Sequence, residues 1–343
     1  MTSIADFGPP VVARSARVRT VSHLALKGGM VLLLVGCLGD VPGTGITDRD
    51  RPSRKDPPPT WQPVDPQFAG TAVSVSSPLR VEFTGTGWLL VTDSRQRMVF
   101  RVDTATMRPD QALAIDGKPL AVGMLGDQIF VGIEEQRSVA VYDSHGAAVG
   151  FLGGAGAVAH PSDIAIDPVE GWVFVLDGRA GDIKVFEAAG RILVGTIASG
   201  QLLSPAGVAV DRTRREVLVS DYGSVGTDAS VKFFSYATEE FGAFTGEISG
   251  GGTCGMSGCA GGFSRPRGLA VDSAHVYVVD AVLAQVLVYE RSSGQLTGTF
   301  GTGDPVVSDL RVPTDVETDG AGRLYVSSTR TSRIVAFRTD GGP

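Results

Sequence analysis

Arg80, Glu82, Asp163, Asp315 and Glu317 stand two or four residues after a proline in copies of one recurring segment, and every other equivalent position is Gly or Ala. Residues two apart on a strand point the same way, so these side chains share a face with a row of small neighbours. Glu82, Asp315 and Glu317 fall beside Arg80, with Asp163 farther round, and such a group supports two chemistries. The expected one is an arginine-carboxylate network of charge-assisted hydrogen bonds. The other uses the negative excess to hold a hard cation such as calcium, with Glu82, Asp315 and Glu317 as its oxygen ligands.

Sulfur and imidazole offer less. The chain has three cysteines, Cys37, Cys254 and Cys259. The last two lie in the glycine-rich stretch 249–262, where a flexible loop lets a disulfide form in an oxidising compartment. Zinc there would need two further ligands, and the stretch holds no histidine. His145, His160 and His275 fall at three different places in the repeat and cannot converge on one ion. Neither a Gly-x-Ser-x-Gly elbow nor a phosphate-binding loop is present.

The scaffold that positions the carboxylates is a repeat. Its copies begin at Pro78, Pro119, Pro161, Pro205, Pro266 and Pro313, with spacings of 41, 42, 44, 61 and 47 residues. Each copy has a strand running toward an aspartate or its equivalent, a turn, and a second apolar strand such as 88–93, 173–177, 217–221 or 276–280. Third strands follow at 183–186, 286–289 and 334–337. Continuous β-branched and aromatic runs suit strands covered on both faces, and a period of about 40–50 residues with several strands suits propeller blades. We therefore expect an all-β, six-bladed β-propeller of four-stranded blades. The sixth copy ends after its third strand, and an N-terminal strand at 69–76 is expected to complete that last blade and leave no open edge. The recurring Asp93, Asp177, Asp221 and Asp280 are expected to cap turns.

Phe263-Ser-Arg-Pro-Arg-Gly-Leu-Ala-Val-Asp272, followed by 276–280 and 286–289, resembles the NHL repeat, with weaker copies over residues 69–340. The resemblance implies a propeller around a central channel and says little about chemistry. Peptidyl-hydroxyglycine amidating lyases are propellers of similar repeat whose channel zinc is held by three histidines. The scattered histidines here depart from that pattern. A hydrolase, lactonase or lyase with a channel metal site is kept as the enzymatic alternative, and enzyme status stays open.

Residues 1–36 read as a lipoprotein-type signal peptide: Arg14, Arg17, Arg19 and Lys27 precede the short apolar core 30–36. That core falls well short of the about 20 residues needed to span a bilayer. Leu34-Val-Gly-Cys37 resembles the lipobox of bacterial lipoproteins, which implies a lipid on Cys37. The charged run before the core is long, which points to a start codon downstream of Met1. Residues 37–65, with Pro52, Pro57, Pro58, Pro59 and Pro63, form an extended tether, and 66–343 form the propeller. The expected location is the bacterial cell envelope, with Leu38 favouring the outer membrane. A formal net charge of −7 argues against nucleic acid, so the membrane is engaged through the lipid alone.

Blade four is the longest, and its extra residues are expected to thicken the rim where the second-to-third and blade-to-blade connections emerge. A binding site for an envelope protein, peptide or glycan is expected at this rim and the channel mouth, from Arg80, His160, Asp163, Tyr222, Arg267 and Asp315.

Overall fold

The structure, a computed structural model, describes residues 61–63, 75–224, 228–249, 262–301 and 310–339. They fall within one compact unit, Asp56–Pro343. The signal segment 1–36, Cys37, Cys254 and Cys259 lie outside the described residues.

Six four-stranded antiparallel sheets form a closed ring, the six-bladed β-propeller expected. The inner strands are Pro78–Phe83, Pro119–Leu125, Pro161–Asp167, Pro205–Asp211, Pro266–Val271 and Pro313–Thr318. They surround the central channel, each against the next. In blades one to five the second, third and outer strands follow outward in chain order, and no α-helix occurs among the described residues. Six apolar clusters fill the structure, one at each interface between blades. Phe100, Phe130, Phe174, Phe186, Phe234 and Phe337 are fully buried in these layers. Each blade is covered on one face by the blade before it and on the other by the blade after it, which is why the second and third strands read as unbroken apolar runs.

Every blade starts with a proline, which cannot donate to the ladder, and in every blade the register shifts just after it. The two backbone N–H groups ahead of that proline turn instead to the aspartate that ends the second strand. Asp93 accepts from Ser76 and Ser77, Asp177 from Ala159 and His160, Asp221 from Leu203 and Ser204, and Asp280 from Ser264 and Arg265. The same carboxylates accept from the turn that follows them, as Asp177 does from Arg179 and Ala180. In blade two Glu135 receives the Lys118 N–H, and in blade six the Ser328 hydroxyl receives that of Arg311. The recurring aspartates thus cap turns and also pin each inner strand to the second.

The ring closes through an N-terminal strand, but not the one expected. Trp61–Pro63, inside the expected tether, pairs antiparallel with Arg333–Thr339 as the outermost strand of blade six. Of 69–76 only Val75 and Ser76 are described, and neither is in a strand. Val75 is buried at the interface of blades six and one, and the Ser76 and Ser77 N–H groups are committed to Asp93. Val75, Ser76 and Ser77 thus form the lead-in to the first inner strand, and 69–74 lie outside the described residues.

The blade-four insertion is also divided differently. Its third-to-fourth connection spans residues 236–243, against 188–191 in blade three, so part of the excess lies on the opposite face from the one expected. The part that can be seen there is structural. Tyr236 and Phe241 pack on Trp172 with ring centroids 6.1 and 6.0 Å away, and Tyr236 donates to Asp167 at 2.7 Å.

Asp177 tests the pinning role. Asp177→Ala strands four N–H groups and should cost about 2–4 kcal/mol in urea unfolding, with Asp177→Asn costing less because one acceptor survives. A loss under about 0.5 kcal/mol for the alanine variant would show that the aspartate does not pin the strand.

Candidate functional site

The bulge after each proline leaves a residue outside the ladder, and its carbonyl is free to point elsewhere. In blades three and four these carbonyls, Ser162 O and Ala206 O, accept hydrogen bonds from Arg80. Leu79 O accepts from the Thr314 and Ser327 hydroxyls, and Arg267 O from the Ser220 hydroxyl. Inner strands are therefore stitched to their neighbours around the channel mouth. Glycine permits the close approach. A Cβ on Gly268 would lie 1.8 Å from Asp315 Oδ1, and one on Gly207 would lie 2.5 Å from Arg267 O.

Arg80 closes this end of the channel. It is 6% exposed, with Asp163 and Asp315 equally buried. Its Nε lies 3.3 Å from Asp163 Oδ1 and its Nη1 3.2 Å from Asp315 Oδ1. The two carboxylates also bridge neighbouring blades: Asp315 accepts from the Val81 N–H and Asp163 from the Val208 N–H, both at 2.9 Å. The arginine-carboxylate network expected from sequence is thus present, and it includes Asp163 because the long Arg80 side chain reaches across the axis.

Deeper in the channel, Glu82 and Glu317 line a cavity of about 130 Å³ with Ala165, Ala209 and Ala270. Burial, then the charge of Asp163, pushes the Glu82 carboxyl up to about 8. Burial, then Glu82 and Asp315, holds Glu317 well above the ordinary glutamate range. Asp315 is raised to about 7 by burial, against the pull of Arg80. The calcium set is not assembled: among the described residues no group of three or more His, Cys, Asp or Glu side chains is placed to hold a metal. Asp315 faces Arg80 and the Val81 N–H instead, and Glu317 accepts from the Thr318 N–H.

The remaining expected site residues ring the mouth above Arg80. His160 and Arg265 each precede an inner-strand proline, and Tyr222 follows Asp221, so all three lie on the same face. The Arg265 guanidinium sits 5.8 Å from the Tyr222 ring centre. Arg267 is half-buried, and its Nε has no hydrogen-bond partner among the described residues. Arg265 did not stand out in the sequence, although its place beside the proline in Phe263-Ser-Arg-Pro could have marked it. His275 lies on the opposite face, 3.7 Å from Asp272, and His145 lines a groove of about 470 Å³ between blades one and two, so the histidines do not meet. The groove itself, walled by Trp88, Leu113, Met124 and Ile129, had no sequence signal because two blades build it. Arg101 covers the Trp88 ring at 4.3 Å and pairs with Asp110.

No known family profile matches the chain, and no curated protein matches it in sequence. Solved structures do. It is similar to a chain of hydrazine synthase from Kuenenia stuttgartiensis, with a TM-score of 0.57, 16% identity, and coverage of 80% of this chain and 99% of that one. A chain of a nidogen/laminin complex matches with a TM-score of 0.56 and 16% identity over 71% of this chain and 85% of that one. A Bacteroides thetaiotaomicron protein of unknown function gives a TM-score of 0.58 at 14% identity, over 79% and 71%. At these identities the likeness concerns the fold alone, and propellers carry unrelated functions.

The channel carboxyls set a pH dependence. A carboxyl with a folded-state pKa raised above 4.5 stabilises fully below that value and loses its contribution as pH climbs through the folded value, here about 8 for Glu82. Thermal melts from pH 5 to pH 9 should therefore fall with pH, and Glu82→Gln should flatten the decline. A melting temperature that rises over this range would contradict the buried protonated carboxyls.

Proposed function

We propose that the chain is an NHL-type propeller lipoprotein, held to a bacterial envelope membrane through Cys37, that binds a protein, peptide or glycan at the channel mouth ringed by His160, Tyr222, Arg265 and Arg267. One observation carries this reading: the mouth has a rigid, buried floor made by Arg80, Asp163 and Asp315, beneath a rim of longer polar and aromatic side chains. Binding sites favour such a fixed base, because less order is lost when a partner arrives. The floor residues are engaged with one another, so in this reading they shape the site, and His160, Tyr222 and Arg267 meet the partner.

The enzymatic alternative would use the carboxyls inside the channel. Their cavity of about 130 Å³ is smaller than the about 300–1,000 Å³ typical of small-molecule sites, which favours the mouth. The anchor reading rests on the signal-like segment and on Leu34-Val-Gly-Cys37. A lipoprotein anchor carries more than one chain, and a single acyl chain would hold a protein only marginally.

Two readouts test the proposal in a bacterial host. Cys37→Ser should move the protein from the membrane to the soluble fraction, and unchanged fractionation would remove the anchor. The full chain, used as bait in envelope extracts, should capture a partner that is lost in the Tyr222→Ala, Arg265→Ala double variant and kept in Arg214→Ala on the opposite face. Capture indifferent to the mouth variant, or ester or lactone turnover abolished by Glu317→Gln, would overturn the binding reading.

A further inference from the structure

The mouth is ringed by positive charge in a chain whose formal net charge is −7. Blades one and two balance part of their own: Arg97 lies 3.6 Å from Glu135, and Lys118 3.2 Å from Glu134. In blade three Lys184 lies 3.2 Å from Asp182, but other cations on this face stand apart. Arg179, Arg265, Arg267, Arg311 and Arg330 lie on this face without a carboxylate in ion-pair contact among the described residues.

Arg267 differs from the other four. It is the residue bulged out of the blade-five inner strand, just after Pro266. Its backbone is fixed, since its carbonyl accepts from Ser220 and packs against Gly207, both of blade four. The Nε–H is shut away from solvent without an acceptor among the described residues, while burial and then the charges of Arg265 and Arg80 push its pKa down. A guanidinium held this way is costly in the free protein, and an incoming anion would offset that cost.

Resting on the binding reading of this same mouth, we infer that the ligand is an acidic peptide, with Arg267 clamping a carboxylate and Arg265 and Tyr222 forming the adjoining wall. Three features select this chemistry. The two terminal Nη groups of the guanidinium offer paired N–H donors that match the two oxygens of a carboxylate. Arg267 is half-buried, so the group it receives must project from its carrier, as an acidic side chain or a chain terminus does. Asp163 and Asp315 lie in the floor, and their charge opposes a phosphate dianion more than a carboxylate monoanion.

Fluorescein-labelled octaglutamate, titrated at low salt into the full chain and read by anisotropy, tests this. Arg267→Gln should weaken binding about tenfold or more, whereas Arg214→Gln, on the opposite face, should leave it unchanged. The melting temperature of Arg267→Gln should hold or rise, because the substitution removes a half-buried charge that has no ion pair among the described residues; a structural arginine would show a fall. Equal affinity in Arg267→Gln, an equal loss in Arg214→Gln, or stronger displacement by inorganic phosphate than by unlabelled octaglutamate would each overturn the inference. An envelope partner kept by Arg267→Gln but lost in the Tyr222→Ala, Arg265→Ala variant would overturn it and leave the binding reading standing. Capture independent of the mouth would remove both.

Discussion

The guanidinium of Arg80 ties together the axis of the ring. It belongs to blade one, pairs with carboxylates of blades three and six, and donates to carbonyls of blades three and four. A charge this deep is costly unless its donors are met, and here each carboxylate partner is also fixed by a backbone N–H from the next blade. The network thus spans the channel and also runs around it. Glu82 and Glu317 lie below, and their raised affinity for protons keeps them largely neutral where exposed carboxyls would be charged.

The proline at the head of each blade makes this arrangement possible. Because it cannot donate to its ladder, the chain bulges after it and releases a carbonyl at the channel mouth, while the preceding N–H groups pass to the aspartate of the second strand. Three of the carbonyls so released become acceptors across blades, those of Ser162 and Ala206 for Arg80 and that of Arg267 for Ser220 in the second strand of blade four. The repeat that builds the fold therefore also builds a rigid floor beneath the mouth. A site resting on it inherits order from every blade, which suits a rim whose own side chains are long and charged.

Much of this was legible because the repeat imposes it. Prolines at regular spacing, apolar second strands and alternating small residues report blade number and channel-facing positions directly, and Arg80, Glu82, Asp163, Asp315 and Glu317 do face one another. Closure was harder. The segment 69–76 alternates like a strand, whereas Trp61-Gln-Pro63 sits among prolines and carries little pattern, yet the latter is the outer strand, and Ser76 with Ser77 serves Asp93 as the lead-in to blade one. The placement of the calcium set was hidden for a similar reason. Spacing shows which carboxylates share a channel but not which backbone N–H groups they meet, and Asp315 meets that of Val81. Arg265 and the groove between blades one and two depend on contacts between distant segments, which one blade's sequence does not encode.

Removing the Arg80 charge while keeping most of its volume puts the central constraint to the test. Urea unfolding of Arg80→Met should show a loss of about 3–5 kcal/mol at pH 7.5, because Asp163 and Asp315 are left buried without their cation. At pH 5 the loss should shrink, as those carboxyls take up protons once Arg80 no longer opposes it. A loss below about 1 kcal/mol, or one that is the same at both pH values, would contradict the account that this guanidinium ties the ring together.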